Sequence, residues 1–566
     1  SDAQTMRILN VETGEELPET FENLRFCTVA WLDNPDDGFY YKVPEDAPDC
    51  PVEEQTKNFS VKYHALGNDP ARDKLVFDVN DIATEKMTKP NLYIPRYSEN
   101  EWISVVVGTR SENALYYRQK GSDGDFVKLF DNNEAAYHVI GELDGKVYME
   151  TNKGAPKGRI VRFSLDDPSP ENWEEIVPEP QKHDELLQGA MIHQNKLYVI
   201  RSIDLADQID ICTLDGEKQD QVPIPPFSTI GFGRFKKDSD FAYVKISDFR
   251  QPGALYKYDF QENSLELIED SQAKLTIDDA EMERVYATSR DGTQIPMFVI
   301  KPPGVELDGT AAVKLYGYGG FGVSLEPVYA TSRADWVNRG GIYVIANLRG
   351  GGEFGKDWSD AGKLANKQNV FDDFIACAEH LVEQGYTSPE RLVSEGGSNG
   401  GLLTLATMLQ APESFGAVIS KVPVADMLRF MEDGGSYGIA WTSDYGNPPA
   451  SKEDFDISMA YSPLHNVKDG AKYPPLCIMT AEQDDRVKPW HAFKYFATHL
   501  EISDPTNVSL MRVEKDAGHG AGKSTEKFIH EMVDSTAFVE LTIGPLDQLA
   551  YKNTLAQDDP GPDSTP

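Results

Sequence analysis

The first half of the chain alternates short apolar runs with clusters of polar turn residues. Runs rich in β-branched and aromatic residues follow turn residues at positions 37, 100, 144, 195 and 240, a spacing of roughly 50 residues. No stretch shows a sustained helical period, so we interpret these runs as strands. Several strands per repeat are typical of propeller blades, and the first 275 residues would hold about five. Unrelated β-hairpins in a sandwich are the alternative.

The pattern changes near residue 275, where strands begin to alternate with helices. The predicted elements are a hairpin at 281–299, strands at 311–316, 341–346, 417–419 and 476–480, and helices at 370–384 and 492–500. This alternation predicts a doubly wound, mostly parallel sheet with helices on both faces. We therefore expect an all-β propeller over 1–275, an α/β domain over 276–553, and a disordered Asp- and Pro-rich tail over 554–566.

The most distinctive stretch of the second half is Glu395-Gly396-Gly397-Ser398-Asn399-Gly400-Gly401. It contains the pattern G-x-S-x-G between a short apolar strand at 391–393 and an apolar helix at 402–408. A nucleophile elbow needs this context, because its serine lies on a sharp turn at a helix N-terminus. Glycines on both sides of Ser398 permit the strained backbone and leave the hydroxyl exposed. A glycine-rich turn with an incidental serine is the alternative.

An elbow serine needs a histidine base, and α/β-hydrolases place the serine, the acid and the histidine in that order. The histidines downstream of Ser398 are His465, His491, His499, His519 and His530. All but His465 and His519 lie in helix-like runs, and spacing does not exclude His465, which follows a Ser-Pro-Leu loop. His519 stands among glycines just after an apolar-alternating strand at 508–513, so it is free to reach a serine. We predict His519 as the base.

The acid is expected after the buried strand at 476–481. Three carboxylates, Glu482, Asp484 and Asp485, follow that strand. A triad acid belongs at the carboxyl end of a parallel strand. Spacing alone does not choose among the three.

Composition narrows the functional classes. The chain has 566 residues, enough for two or three domains. Its 54 Lys and Arg residues against 93 Asp and Glu residues leave a net charge of −39, which disfavours binding to nucleic acids and anionic membranes. No apolar run is long enough to predict a transmembrane helix. Five scattered cysteines without a C-x-x-C pair predict a reducing, cytoplasmic location, and we expect no metal or organic cofactor.

Four sequence blocks together resemble the prolyl oligopeptidase family. They are Tyr316–Phe321, Asn347–Gly355, Gly396–Gly401, and Asp484–Val487 with Gly518–Lys523, in the family's order. The resemblance implies an α/β-hydrolase domain with Ser398 as the nucleophile, Asp484 as the acid and His519 as the base. It also implies that the Tyr318 hydroxyl and the Asn399 N–H form the oxyanion hole.

The segment 440–446, Ala-Trp-Thr-Ser-Asp-Tyr-Gly, matches the family's motif for a ring-stacking tryptophan. The resemblance implies that Trp441 lies against a proline ring of the substrate. The other pocket residues that it implies are Phe321, Val424, Val487, Tyr445 and, for a substrate carbonyl, Arg486. A flat indole with apolar walls fits a pyrrolidine ring by shape and area.

We therefore predict a monomeric serine peptidase that cleaves short peptides after proline, with a propeller that limits entry. A transpeptidase or macrocyclase, which transfers the acyl group to the peptide's own N-terminus, uses the same triad and is the alternative. An inactive binding protein and an esterase are further rivals, disfavoured by the complete triad and by the Trp441 pocket, respectively.

The number of predicted blades differs from that of the family. The family has an N-terminal segment that wraps the hydrolase domain and then seven blades, against about five here. We therefore expect an N-terminally incomplete propeller, with the missing part either outside this chain or supplied as a separate chain.

Overall fold

The computed structural model describes residues 4–44, 58–82, 88–131, 134–431, 437–520 and 523–546. The predicted disordered tail at 554–566 lies outside these residues.

The described residues of the first half fold into a hairpin followed by five four-stranded antiparallel sheets. The hairpin consists of β1 (Gln4–Leu9) and β2 (Glu16–Leu24). The first two sheets consist of β3 (Val29–Trp31), β4 (Phe39–Pro44), β5 (Phe59–His64) and β6 (Lys74–Phe77), then β7 (Thr88–Tyr93), β8 (Asn100–Val107), β9 (Asn113–Gln119) and β10 (Val127–Phe130).

The next three sheets repeat this up-and-down arrangement. They consist of β11 (Tyr137–Leu143), β12 (Lys146–Thr151), β13 (Arg159–Phe163) and β14 (Glu174–Val177); β15 (Glu185–His193), β16 (Lys196–Ile203), β17 (Ala206–Cys212) and β18 (Lys218–Gln221); and β19 (Thr229–Phe232), β20 (Phe241–Ser247), β21 (Ala254–Asp259) and β22 (Ser264–Glu269).

The roughly 50-residue period of the sequence corresponds to these sheets. Each of the five turn residues at 37, 100, 144, 195 and 240 lies just before, or at the start of, the second strand of a sheet. Buried side chains fill the space between neighbouring sheets; Trp102 of β8 and Met149 of β12, for example, belong to one apolar cluster. The predicted propeller is confirmed.

The second half contains one eight-stranded sheet in the order β23-β24-β26-β25-β27-β28-β29-β30. Its strands are β23 (Glu281–Thr288), β24 (Gln294–Lys301), β25 (Val313–Gly317), β26 (Ile342–Ala346), β27 (Leu392–Gly397), β28 (Ala417–Lys421), β29 (Leu476–Ala481) and β30 (Ser509–Glu514). The strands from β25 to β30 are parallel, whereas β23 and β24 pair antiparallel at one edge.

Helices cover both faces of this sheet. They are α1 (Thr331–Asn338), α2 (Lys356–Asp360), α3 (Gln368–Glu383), α4 (Asn399–Gln410), α5 (Thr442–Tyr445), α6 (Lys452–Tyr461), α7 (Trp490–Ile502) and α8 (Thr525–Ile543). Helices α3, α4 and α7 contribute to one apolar core, and α1 and α8 to the other. Strand β26 is buried along its whole length, as expected for a parallel strand covered on both sides. The predicted doubly wound sheet is confirmed.

The propeller and the α/β domain contact each other beside the loops that follow the parallel strands. Thr109 N–H donates to the carbonyl of Ala440 at 3.1 Å. Arg25, which is fully buried, pairs with Asp485 at 3.0 Å beyond the end of β29. No helix among the described residues is long and apolar enough to cross a membrane.

Candidate active site

Ser398 lies on a strained turn between β27 and α4. Its backbone has φ 60° and ψ −115°, a region that residues other than glycine rarely adopt. The Ser398 N–H donates to the carbonyl of Lys421 at 2.8 Å. A Cβ on Gly396 would lie 2.3 Å from the carbonyl oxygen of Gly400, so the turn requires a glycine there. The backbone thus presents the serine side chain at the N-terminus of α4.

A buried charge cluster lies directly beneath this turn. Glu395 pairs with Lys314 at 3.0 Å and with Lys421 at 2.8 Å. Burial alone would raise the pKa of Glu395, but the two lysine charges lower it to about 2. The same Lys421 supplies the carbonyl that binds Ser398 N–H. The elbow therefore packs on an ionised carboxylate that is paired with two lysines.

His519 is oriented by Asp484. Its Nδ1 lies 2.7 Å from Oδ2 of Asp484, a carboxylate that is 2% exposed. The other oxygen of Asp484 accepts backbone N–H groups of Arg486 and Val487 at 3.0 and 2.9 Å. With Nδ1 engaged, Nε2 is the ring nitrogen left to serve a nucleophile.

The structure separates the three carboxylates that spacing left open. Asp484 contacts His519, whereas Asp485 pairs with Arg25 of the propeller half and Glu482 is exposed. Spacing could not distinguish them, because all three follow the same strand, whereas the contact with His519 agrees with the residue that the family resemblance implied.

The remaining downstream histidines are engaged elsewhere. His465 Nδ1 lies 2.8 Å from the Ser462 hydroxyl. His491 and His499 are buried within α7, and burial lowers their pKa values to about 3 and about 4. His530 is exposed on α8.

Tyr318 and Asn399 flank the serine. The Tyr318 ring lies beside the serine turn, since a Cβ on Gly400 would be 3.6 Å from it, and Ser398 is among the neighbours of its hydroxyl. Burial raises the pKa of Tyr318 to about 12, so the phenol keeps its proton at neutral pH. Asn399 is the first residue of α4, where backbone N–H groups have no partner within the helix. A phenol O–H and a backbone N–H are therefore available on one side of the serine.

Lys367 binds Asn399 and the residue that follows Tyr318, and it was not predicted from the sequence. Its ammonium donates to the carbonyl of Gly319 at 2.9 Å and to Oδ1 of Asn399 at 3.1 Å. Lys367 is 1% exposed, and burial lowers its pKa to about 8. The sequence carries no signal for this role, because a lysine beside the start of a helix is ordinarily solvated.

A cluster of aromatic side chains adjoins the elbow. The Tyr445 hydroxyl donates to Oδ1 of Asn399 at 2.8 Å, and ring centroids of Trp441 and Phe321 lie 6.3 and 5.3 Å from that of Tyr445. Phe430, which sequence reasoning missed, stacks on Trp441 with centroids 6.1 Å apart.

The remaining predicted pocket residues lie around the same core. Val424 and Val487 are buried in the apolar cluster that contains Trp441. The backbone N–H of Phe321 donates to Asp444 at 2.8 Å, and that carboxylate is buried as well. Arg486 lies over the ring of Phe26 from the propeller half, 5.8 Å from its centroid.

Models of known protein families match both halves of the chain. Residues 328–545 match the model of the prolyl oligopeptidase family, and residues 1–271 match that of the prolyl oligopeptidase N-terminal β-propeller domain. The chain belongs to the prolyl oligopeptidase family. It is therefore a serine peptidase, as predicted.

Relatives within the family include peptidases and macrocyclases. The chain is 34% identical to a prolyl endopeptidase of Elizabethkingia meningoseptica, over 96% of this chain and 76% of the relative. It is 32% identical to the dual function macrocyclase-peptidase POPB of Amanita bisporigera, over 92% of this chain and 72% of the relative.

Solved structures of the family superpose on most of the chain. A prolyl endopeptidase structure has a TM-score of 0.88 at 35% identity, covering 96% of this chain and 79% of that one. Prolyl oligopeptidase B from Galerina marginata, bound to a 35mer hydrolysis and macrocyclization substrate, has a TM-score of 0.86 at 28% identity, with coverage of 96% and 77%.

The comparisons give no support to two further predictions. Related enzymes of the family are single-chain proteins, so nothing favours a separate chain that supplies an N-terminal segment. The predicted incompleteness of the propeller is likewise unsupported.

Proposed function

We propose that this enzyme cleaves short peptides on the C-terminal side of proline through an acyl-enzyme on Ser398. The observation that carries the proposal is the hydrogen bond between Tyr445 and Asn399. It attaches the aromatic pocket around Trp441 to the residue that follows the serine. A flat, uncharged ring bound in this pocket would have its carbonyl group close to the serine.

In this mechanism Nε2 of His519 removes the proton of Ser398 as its oxygen attacks the prolyl carbonyl. The negative charge that develops on the carbonyl oxygen is stabilised by the Tyr318 hydroxyl and the Asn399 N–H. His519 then gives its proton to the leaving amine, and afterwards activates a water molecule that hydrolyses the ester. Asp484 keeps the ring oriented and stabilises the imidazolium.

The proposed specificity rests on shape and on one polar contact. Trp441 would stack on the proline ring, with Phe321, Val424, Val487 and Tyr445 as apolar walls. Arg486 would donate to a carbonyl of the preceding residue. The aromatic contacts support this assignment, because Phe430 stacks on Trp441 and Tyr445 meets both rings edge-on, so the three rings form one apolar cluster.

Macrocyclisation is the second candidate, and the dual function relatives favour it. Both reactions pass through the same acyl-enzyme. They differ in whether water or the peptide's own N-terminal amine attacks the ester first.

Mass spectrometry of the products from a synthetic peptide with several internal prolines tests the proposal. The enzyme and its Ser398→Ala variant are incubated in parallel. Linear fragments that end in proline, formed by the enzyme alone, are expected. A product lighter by one water than its linear counterpart would instead establish macrocyclisation. Absence of both products, or equal turnover by the variant, would contradict an acyl-enzyme on Ser398.

Tyr318→Phe tests the oxyanion hole separately. Loss of the phenol donor is expected to lower kcat by about 10²- to 10³-fold with little change in KM. An unchanged kcat in a variant that melts at the same temperature would contradict this role.

We also propose a reducing, cytoplasmic location. Among the described residues, Cys27, Cys212, Cys377 and Cys477 are unpaired, as is usual in that compartment. Cys50 lies outside the described residues.

A further inference from the structure

A cavity of about 380 Å³ lies between the propeller and the α/β domain. His138, Glu150 and Pro156 line it from the propeller, and Gly322 and Ser359 line it from the α/β domain. Because Gly322 directly follows Phe321, the cavity adjoins one wall of the proposed proline pocket. A peptide bound at Ser398 could therefore extend into it.

Glu150 brings an unpartnered carboxylate to this cavity. Glu150 lies on β12, and its carboxylate approaches the backbone of the neighbouring sheet. A Cβ added to Gly189 of that sheet would lie 3.7 Å from Oε2 of Glu150. No side chain or backbone donor among the described residues binds the Glu150 carboxylate. Burial raises its pKa to about 7, which is the expected response of a desolvated acid without a cation. Glu150 is half-buried and lines the cavity, so a ligand in the cavity can reach its carboxylate.

The histidine next to it does not provide that partner. His138 lies on β11, directly opposite Glu150 on β12. Its ring stacks on Tyr93 with centroids 5.2 Å apart and an interplanar angle of 16°. Burial lowers the pKa of His138, so the ring is neutral at neutral pH.

The lysines that line the cavity are already engaged with other groups. Lys356 pairs with Glu112 at 2.7 Å and with Asp360 at 2.8 Å. Lys363 pairs with Asp360 at 3.3 Å, and Lys157 donates to a backbone carbonyl. The cations of the cavity thus have partners within the protein, whereas the carboxylate of Glu150 does not.

We propose that Glu150 forms a subsite for a cationic group of the peptide substrate, at a position separated along the peptide from the scissile proline. The cation is either the side chain of a lysine or arginine or the N-terminal ammonium. The inference rests on the proposed function, since it describes the substrates that the same enzyme prefers. The net charge of −39 favours the approach of such peptides.

A scan of matched peptide substrates tests the subsite. Each peptide contains one proline and places either lysine or its uncharged isostere norleucine at one position, with the N-terminus free or acetylated. At one of the scanned peptide positions, kcat/KM is expected to be about tenfold higher with lysine than with norleucine. Should the N-terminal ammonium be the ligand, the acetylated peptides would lose the same factor.

Three variants connect that preference to Glu150. Glu150→Gln is expected to abolish it, and Glu150→Lys to reverse it by placing like charges together. Glu266→Gln, which changes an exposed carboxylate on the outer strand β22, is the matched control and should retain the preference. A preference that survives in Glu150→Gln, or none in the parent enzyme, would overturn the proposal.

A short substrate separates this proposal from the proposed function. A blocked Gly-Pro chromogenic amide carries no cationic group, and its cleavage by each variant shows that the protein is folded and active. If the parent enzyme did not cleave this amide, the proposed function itself would fail. Cleavage of the amide without a lysine preference would overturn only the subsite.

The pH dependence provides a second measurement. The measured quantity is kcat/KM for the lysine peptide divided by kcat/KM for the norleucine peptide. Because the ionised carboxylate binds the cation, this ratio should rise between about pH 6 and pH 8 in the enzyme and stay constant in Glu150→Gln. The other titratable groups that line the cavity are unchanged in that variant; they are Tyr137, His138, Lys157, Lys356 and Lys363. The ratio also cancels the titration of the triad. A flat ratio in the parent enzyme would contradict binding by Glu150.

Discussion

Ser398 and His519 lie on two loops of the same domain that differ in how tightly they are packed. On the serine side, every residue of α4 from Asn399 to Leu409 is buried, and the turn rests on the Glu395–Lys421 ion pair. On the histidine side, Lys515, Asp516 and Gly520 are exposed, and His519 is attached to the site through its hydrogen bond to Asp484. The serine loop is embedded in the core, whereas the histidine loop is partly exposed, with Ala517 and Gly518 as its buried residues.

This difference has a physical consequence for catalysis. A strained backbone such as that of Ser398 persists only where the surrounding packing holds it. Surface loops with few buried contacts open at low free-energy cost. We therefore expect the serine and its oxyanion donors to be preorganised, while the orientation of the His519 ring depends on its hydrogen bond to a single carboxylate.

Asp484→Asn should have the largest effect, because it removes the group on which the histidine loop depends. We expect kcat to fall by about 10³- to 10⁴-fold with a small change in KM, since the amide favours the wrong tautomer of His519. Steady-state kinetics on a blocked prolyl amide measures this. Asp485→Asn, which leaves the His519 contact in place, should lose far less; equal losses would mean that Asp484 has no special role.

Gly396→Ala introduces a steric clash into the tightly packed serine loop. Its Cβ would overlap the carbonyl of Gly400 at 2.3 Å, so we expect a loss of about 3 kcal/mol in the free energy of unfolding and a large fall in kcat. Gly397→Ala is the matched control, because its Cβ would meet the nearest atom at an ordinary 3.6 Å. Urea unfolding compares the two variants, and similar stabilities would show that the elbow is less constrained than its geometry indicates.

Lys367→Met removes the two hydrogen bonds that Lys367 makes next to the proposed oxyanion hole. The carbonyl of Gly319 and Oδ1 of Asn399 would each lose a donor, at a cost of about 1–3 kcal/mol. Part of this cost should appear as a fall of about tenfold in kcat at constant KM. Lys367→Gln, which retains a donor, should recover part of the lost rate. A change confined to melting temperature would indicate a purely structural role.

Gly520→Ala should have the smallest effect. Its φ of 147° favours glycine, but no described atom lies within 4 Å of the added Cβ. We expect a loss of about 1 kcal/mol at most in stability and a change in kcat of a few-fold. If this substitution were as damaging as Gly396→Ala, the contrast between the two loops would be wrong.

Much of the architecture could be predicted because its signals are local. The turn residues before β4, β8, β12, β16 and β20 revealed the repeat of the propeller, and alternation of strands and helices revealed the parallel sheet. Helices α1 and α6 were not predicted, because few of their residues form a continuous apolar stripe. Their packing against the rest of the domain supplies what the local pattern does not.

Fewer residues of the candidate site than of the fold could be predicted from the sequence. The resemblance to a family named Asp484, but spacing alone left Glu482 and Asp485 open. Phe430 and Lys367 were missed, since a lone phenylalanine or lysine has no distinguishing pattern. Both become recognisable only through contacts with residues that are distant along the chain.

The sequence by itself determined the order and type of the elements and the position of the strained turn at Ser398. Periods of two and 3.6 residues and the placement of glycines act over a few neighbouring positions, so they can be read directly. Only the tertiary structure decided which carboxylate meets His519, that Lys367 is buried beneath Asn399, and that Glu150 faces a cavity without a partner. Those outcomes depend on how distant strands and helices assemble, because burial and pairing are properties of the packed domain and not of the local chain.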